Sequence, residues 1–192
     1  MIDPDAALVR DAGAGKAQAA EALVRRHLPR MLALARRMLN DAVEAEDVAQ
    51  DLFLRVWRQA PHWRQGAAKF ETWMRRVALN LCYDRLRRGR ERVDANAGLE
   101  LADGAPSPSQ AWLERQRAEM VRAALARLPV RQQAAIALVH FQEVSNIEAA
   151  AALEVSVDAL ESLLARARRT LKAALAGAAH DLLGDADGVT RV

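Results

Sequence analysis

The sequence predicts an all-α protein made of two small helical domains joined by a flexible linker. Three observations predict it. The 192 residues are rich in Ala, Leu and Arg and poor in aromatic residues, Gly and Pro, which is a helix-forming composition. Apolar residues recur at spacings of three and four on both sides of a central break. That break, residues 89–111, gathers Gly89, Gly98, Gly104, Pro106, Ser107, Pro108 and Ser109 with little apolar periodicity. The expected limits are 1–90 for the first domain, 91–111 for the linker, 112–177 for the second domain and 178–192 for a flexible tail.

Each element has its own signal. From Ala19 to Leu39, the residues Leu23, Val24, Leu28, Met31, Leu32, Ala35 and Met38 mark an amphipathic helix, with Pro29 as a break or bend and Asn40-Asp41 as the stop. A second helix is expected over Ala45–Trp57, with Val48, Leu52, Leu54 and Val56 inward. Residues 61–69 read as a loop. Phe70 to Arg88 reads as a long helix with Trp73, Val77, Leu81 and Leu86 on its apolar side. In the second half, one helix starts near Ala111 and ends at Pro129, and another covers Arg131–Phe141. Ser145 is an N-cap and Glu148 completes a capping box for a short helix ending near Leu153. After Glu154-Val155-Ser156 a longer basic helix runs from Val157 to Ala176. A short helix, a tight turn and a longer helix form the helix-turn-helix layout.

Charge placement says more than the net charge of +3. Between residues 75 and 92 stand Arg75, Arg76, Arg85, Arg87, Arg88, Arg90 and Arg92 against Asp84 and Glu91. Between residues 41 and 51 stand five acids and no base. A third, basic cluster joins Arg166, Arg168, Arg169 and Lys172. Patches of opposite sign imply two partners, a polyanion for the basic faces and something else for the acidic one, with a solvated helix surface as the plain alternative.

Other classes are disfavoured. A single cysteine, Cys82, forbids an internal disulfide and fits a reducing cytoplasm. No run is apolar for long enough to span a bilayer, and the N-terminus lacks a signal pattern, so no membrane insertion is expected. His27, His62, His140 and His180 lack metal-ligand spacing, and no phosphate-cradling glycine loop is present. The expectation is a non-enzyme with no cofactor and no catalytic residue.

Three segments then carry a family resemblance. They are Ala45-Glu46-Asp47-Val48-Ala49-Gln50-Asp51-Leu52-Phe53-Leu54-Arg55-Val56-Trp57; Phe70-Glu71-Thr72-Trp73-Met74-Arg75-Arg76-Val77-Ala78-Leu79-Asn80 with Asp84, Arg85 and Leu86; and Leu128-Pro129-Val130-Arg131-Gln132-Gln133 before the helix-turn-helix. In this order the chain resembles the extracytoplasmic-function (ECF) group of the sigma-70 family, whose two folded parts are regions 2 and 4. The resemblance implies that the chain brings core RNA polymerase to promoter DNA, and that an anti-sigma factor holds it when idle.

The resemblance also implies residue roles. Asp47, Gln50, Asp51 and Phe53 match positions that dock on the polymerase clamp helices, and complementary charge would fix that register. The loop with Trp63 and Arg64, together with Asn80, matches the pocket for a flipped minus-ten base. Arg75, Arg76, Arg85, Arg87 and Arg88 would contact phosphates, and Trp63 would stack on a base, each stack being worth ~1–3 kcal/mol. Phe70 and Trp73 are expected in the core. The second helix of the helix-turn-helix would enter the major groove at the minus-thirty-five element. Here the chain departs from the family: Asp158-Ala159-Leu160-Glu161-Ser162-Leu163 replaces a more basic run, and Glu154 stands where Gly is common. The expected contacts are therefore limited to Ser156, Ser162, Arg166 and Arg169. Two rivals remain: a sigma-like mimic that sequesters an anti-sigma factor, and a helix-turn-helix regulator.

Overall fold

The computed structural model describes residues 3–64, 66, 68–95 and 110–184. The helices are α1 (Ala6–Gly13), α2 (Ala17–Leu39), α3 (Ala42–Gln59), α4 (Phe70–Ala95), α5 (Gln110–Ala126), α6 (Val130–Ile136), α7 (Asn146–Leu153) and α8 (Val157–Gly184). A 3₁₀ turn, Ala60–His62, follows α3, and a π-helical turn, Ala137–Phe141, extends α6. No strand occurs among the described residues. The fold is all-α.

The first unit packs α1, α3 and α4 around α2. Its apolar centre includes Val9, Leu23, Met31, Leu52, Phe70 and Met74, all fully buried. Asp41 starts α3: its side chain accepts from the Val43 and Glu44 amides at 2.8 and 3.1 Å, answering two donors the helix leaves free. Asn40 closes α2 at φ 53°, the left-handed position a short polar side chain tolerates. Pro29 does not break α2, so of the expected break or bend the break does not occur. Its missing N–H withholds the usual donor from the Arg25 carbonyl, and both residues lie on the exposed side of the helix, where such a loss is least costly.

The helix α1 was not among the expected elements, and the segment before it is anchored inside the protein. Asp3 accepts from the Phe70 amide at 2.8 Å and so caps α4 across the chain. Asp5 is 1% exposed, accepts from Arg26 and stands 3.0 Å from His27 Nε2. Burial alone would raise the Asp5 carboxyl, but hydrogen bonds from His27 and Arg26 override it and hold it below its ordinary value. Gly13 lets α1 lie against the 3₁₀ turn, since a Cβ there would meet the Ala60 carbonyl oxygen at 2.6 Å.

The second unit packs α5, α6 and α7 on α8. Leu160, Leu164 and Ala167 recur at intervals of four and three and are buried. Ser145 caps α7, accepting from the Glu148 amide at 3.3 Å, but the reciprocal half of the capping box is not made. The Glu148 carboxylate instead takes Lys69 Nζ at 2.6 Å. Leu54 is also corrected: it points outward, 51% exposed, because it lies off the stripe of Val48, Leu52 and Val56.

Two limits differ from the sequence reading. α4 runs on to Ala95 and α5 begins at Gln110, so only residues 96–109 of the expected linker lie outside the described residues. α8 reaches Gly184, so residues 178–184 of the expected tail are helical backbone. Residues 185–192 lie outside the described residues.

Candidate nucleic-acid interface

Helix α3 presents two faces, and the docking residues divide between them. Gln50, Phe53 and Trp57 line a groove of about 420 Å³ with Val24, Leu28 and Leu32 of α2. These three α2 residues belong to the apolar set that marks the helix as amphipathic. They form a second apolar stripe, partly buried, beside the inward stripe of Leu23, Met31 and Met38. Asp47 and Asp51 lie on the other side of α3, facing α4. There Arg85 meets Glu44, Asp51 at 3.0 Å and Asp47 at 3.4 Å. The hydrogen bond to Glu44 leads in raising the Arg85 guanidinium above its ordinary value. Arg85, expected on DNA, therefore ties the acidic helix to the basic one.

On α4 the arginines also divide. Arg75 is 5% exposed and bonds Glu71 at 2.6 Å; burial pulls its guanidinium below the ordinary value. In this arrangement Arg75 is not available to a phosphate, because the face of α4 that carries it turns inward. Arg76 is half-exposed, Arg87 is exposed and pairs with Asp84 at 3.1 Å, and Arg88 is exposed. Asn80 is exposed and lines a cavity of about 300 Å³ with Tyr83, Arg131, Leu153 and Glu154. Cys82 is fully buried, and burial pushes its thiol up to about 12, so it is an inert core residue.

The loop before α4 is held by aromatic packing. Trp63 meets the edge of Phe70 at 4.8 Å between centroids and lies 5.7 Å from Trp73. Phe70 is in the core as expected. Trp63 is only partly exposed, so it is less free to stack than its loop position suggested; Arg64 beside it is exposed.

On α8, Ser162, Arg166 and Arg169 share one exposed face at intervals of four and three, opposite the buried leucines. Ser156 caps this helix, accepting from the Ala159 amide at 3.1 Å. The turn before it holds Glu154 at φ 55°, a left-handed conformation that costs an ordinary side chain ~1–2 kcal/mol.

Among the described residues, no group of three or more His, Cys, Asp or Glu could hold a metal, and no helix is long and apolar enough to cross a membrane. What the surface offers is an apolar groove with an acidic flank, a basic helix bearing an amide side chain, and a helix-turn-helix.

Known proteins share this layout. The family models for sigma-70 region 2 and sigma-70 region 4 match residues 23–92 and 118–171. The ECF RNA polymerase sigma factor SigM of Mycobacterium tuberculosis is 35% identical over 167 residues, covering 87% of this chain and 82% of that protein. The ECF RNA polymerase sigma factor SigE of Mycolicibacterium smegmatis is 34% identical over 158 residues, covering 80% of this chain but 60% of that protein. The structure of CnrH in complex with the cytosolic domain of CnrY aligns with a TM-score of 0.69 at 28% identity, covering 91% of this chain and 99% of CnrH. The chain belongs to the ECF sigma factors of the sigma-70 family.

Proposed function

We propose that this chain directs core RNA polymerase to a set of promoters and assists their opening. The observation that carries the reading is the order of three surfaces along one chain: the α2–α3 groove, the basic face of α4 with Asn80, and the exposed face of α8. The groove would seat the polymerase clamp helices, with Gln50, Phe53 and Trp57 in contact. Asp47 and Asp51 would add charge, shared with Arg85. The loop of Trp63 and Arg64, with Asn80, would hold an unpaired minus-ten base, and Arg76, Arg87 and Arg88 would hold phosphates. Ser162, Arg166 and Arg169 would meet the major groove at the minus-thirty-five element.

Bond making belongs to the polymerase; this protein supplies recognition, without enzymatic activity of its own, in the cytoplasm. The working units are 1–90 and 112–177. A regulatory protein that captures the chain when idle is a further partner, since CnrH is held by the cytosolic domain of CnrY. Core polymerase retained on the immobilised chain, and competed off by another sigma factor, tests the docking step. Failure to retain core contradicts the reading. The acidic start of α8, with Asp158 and Glu161 exposed, favours one second reading, a sigma-like mimic. A mimic would capture an anti-sigma factor yet give no transcripts.

A further inference from the structure

The exposed side of α8 changes sign along its length. Asp158 and Glu161 stand on its first two turns, and Arg166, Arg168, Arg169 and Lys172 stand further on, all of them exposed. The buried stripe of Leu160, Leu164 and Ala167 fixes the rotation of the helix, so these charges lie on the side turned away from the core. Asp158 has a local use: it sits in the first turn, where a carboxylate complements the helix dipole. Glu161 lies beyond that turn and has none. The residues three and four away from it are Val157, Asp158, Leu164 and Ala165, so the helix supplies no cation at pairing distance. None of the ion pairs among the described residues involves Glu161. Ala165, one turn on, is exposed and too short to shield it.

An uncompensated carboxylate on a groove-facing helix is costly beside a polyanion. It is tolerated where a donor meets it and penalised where none does. In the major groove only two bases offer a donor, cytosine through its N4 amino group and adenine through N6. Adenine carries the N7 acceptor beside its amino group, which would oppose the second carboxylate oxygen, whereas cytosine carries no acceptor on its own edge. We infer that Glu161 is a specificity-determining residue that selects a cytosine in the minus-thirty-five element, its carboxylate accepting a hydrogen bond from the cytosine N4 amino group. The inference rests on the promoter-binding reading of α8. Position along the helix agrees with it. The N-terminal turns of such a helix meet base edges, and Arg166 and Arg169 lie about 8 and 12 Å further along the axis, placed for phosphates. Selection works mainly by exclusion. Guanine and thymine turn acceptors toward the carboxylate, so at those bases Glu161 is desolvated and left unpaired.

The test uses core polymerase loaded with the full-length chain. The complex selects from a pool of fragments built on a promoter that it transcribes, randomised across the minus-thirty-five element. Wild type is compared with E161A, E161Q and E161R, and circular dichroism checks that each variant remains helical. The expected result is that wild type enriches cytosine at one position, by about tenfold over guanine or thymine. E161A should lose that preference, chiefly by binding the other bases better. E161Q should move it to adenine, which glutamine reads through N6 and N7, and E161R to guanine, read through O6 and N7. Preferences at the other positions should stay as they are. E119Q, which removes an exposed carboxylate on α5, should leave the cytosine preference intact. A base preference unchanged in E161A and E161R overturns the inference. So does a gain for E161R that is uniform across sequences, which would make Glu161 a repulsive charge near a phosphate and not a reader. Selection through the minus-ten element alone also overturns it and leaves the proposed function standing. If the loaded polymerase selects no fragment at all, both fall.

Discussion

Asp5 shows how one side chain can organise a site it never touches. It binds His27 and Arg26 of α2, while Asp3 caps α4, so the N-terminal segment sets the start of the helix that carries Asn80. The Asp5 carboxyl is held below its ordinary 3.8 in the folded chain. Its contribution is therefore fully present above the unfolded value and is lost as pH falls through the lower folded one. D5N should cost about 2 kcal/mol at neutral pH in urea unfolding, and the gap to wild type should close in acid below pH 3.8. A gap that persists undiminished in acid would contradict this. Neither aspartate stood out in the sequence as structural. Their partners lie 67 and 22 residues away, for Asp3 with Phe70 and Asp5 with His27, and no local spacing records such a pairing. Arg75 and Arg85 were misplaced for a related reason. A run of arginines reveals the charge of a helix, not which of its faces packs inward.

At the scale of elements the sequence was more legible. Apolar spacing located α2, α3, α4 and the helix-turn-helix, and Ser145 and Pro129 located their boundaries. Where spacing failed, two stripes shared one helix. Val24, Leu28 and Leu32 look like core residues by period, yet they line an open groove with Trp57. W57A should weaken core polymerase binding by about 1–3 kcal/mol, with circular dichroism unchanged, as truncation of an aromatic anchor does. Undiminished binding would move the docking surface elsewhere. On α8 the prediction concerns salt. R166A and R169A should each lower affinity for duplex promoter DNA across sequences and reduce the salt slope by about one. A change in sequence preference with no change in slope would mean that these residues read bases and not phosphates.

For the whole molecule, the sequence indicated two helical units but not their contact. Glu148 read as the partner of Ser145 in a capping box and Gln133 as part of a family segment, and only the folded chain brings them, with Gln142, to Lys69, Arg37 and Arg30. The relation between the units matters for function, because Asn80 lies at their junction. The measurement that tests the central claim most directly is run-off transcription by core polymerase, with and without this chain, on fragments of its own genome. The expected result is a set of discrete new transcripts that N80A abolishes while core binding survives. Core binding without any new transcript, or transcripts indifferent to N80A, would contradict the account.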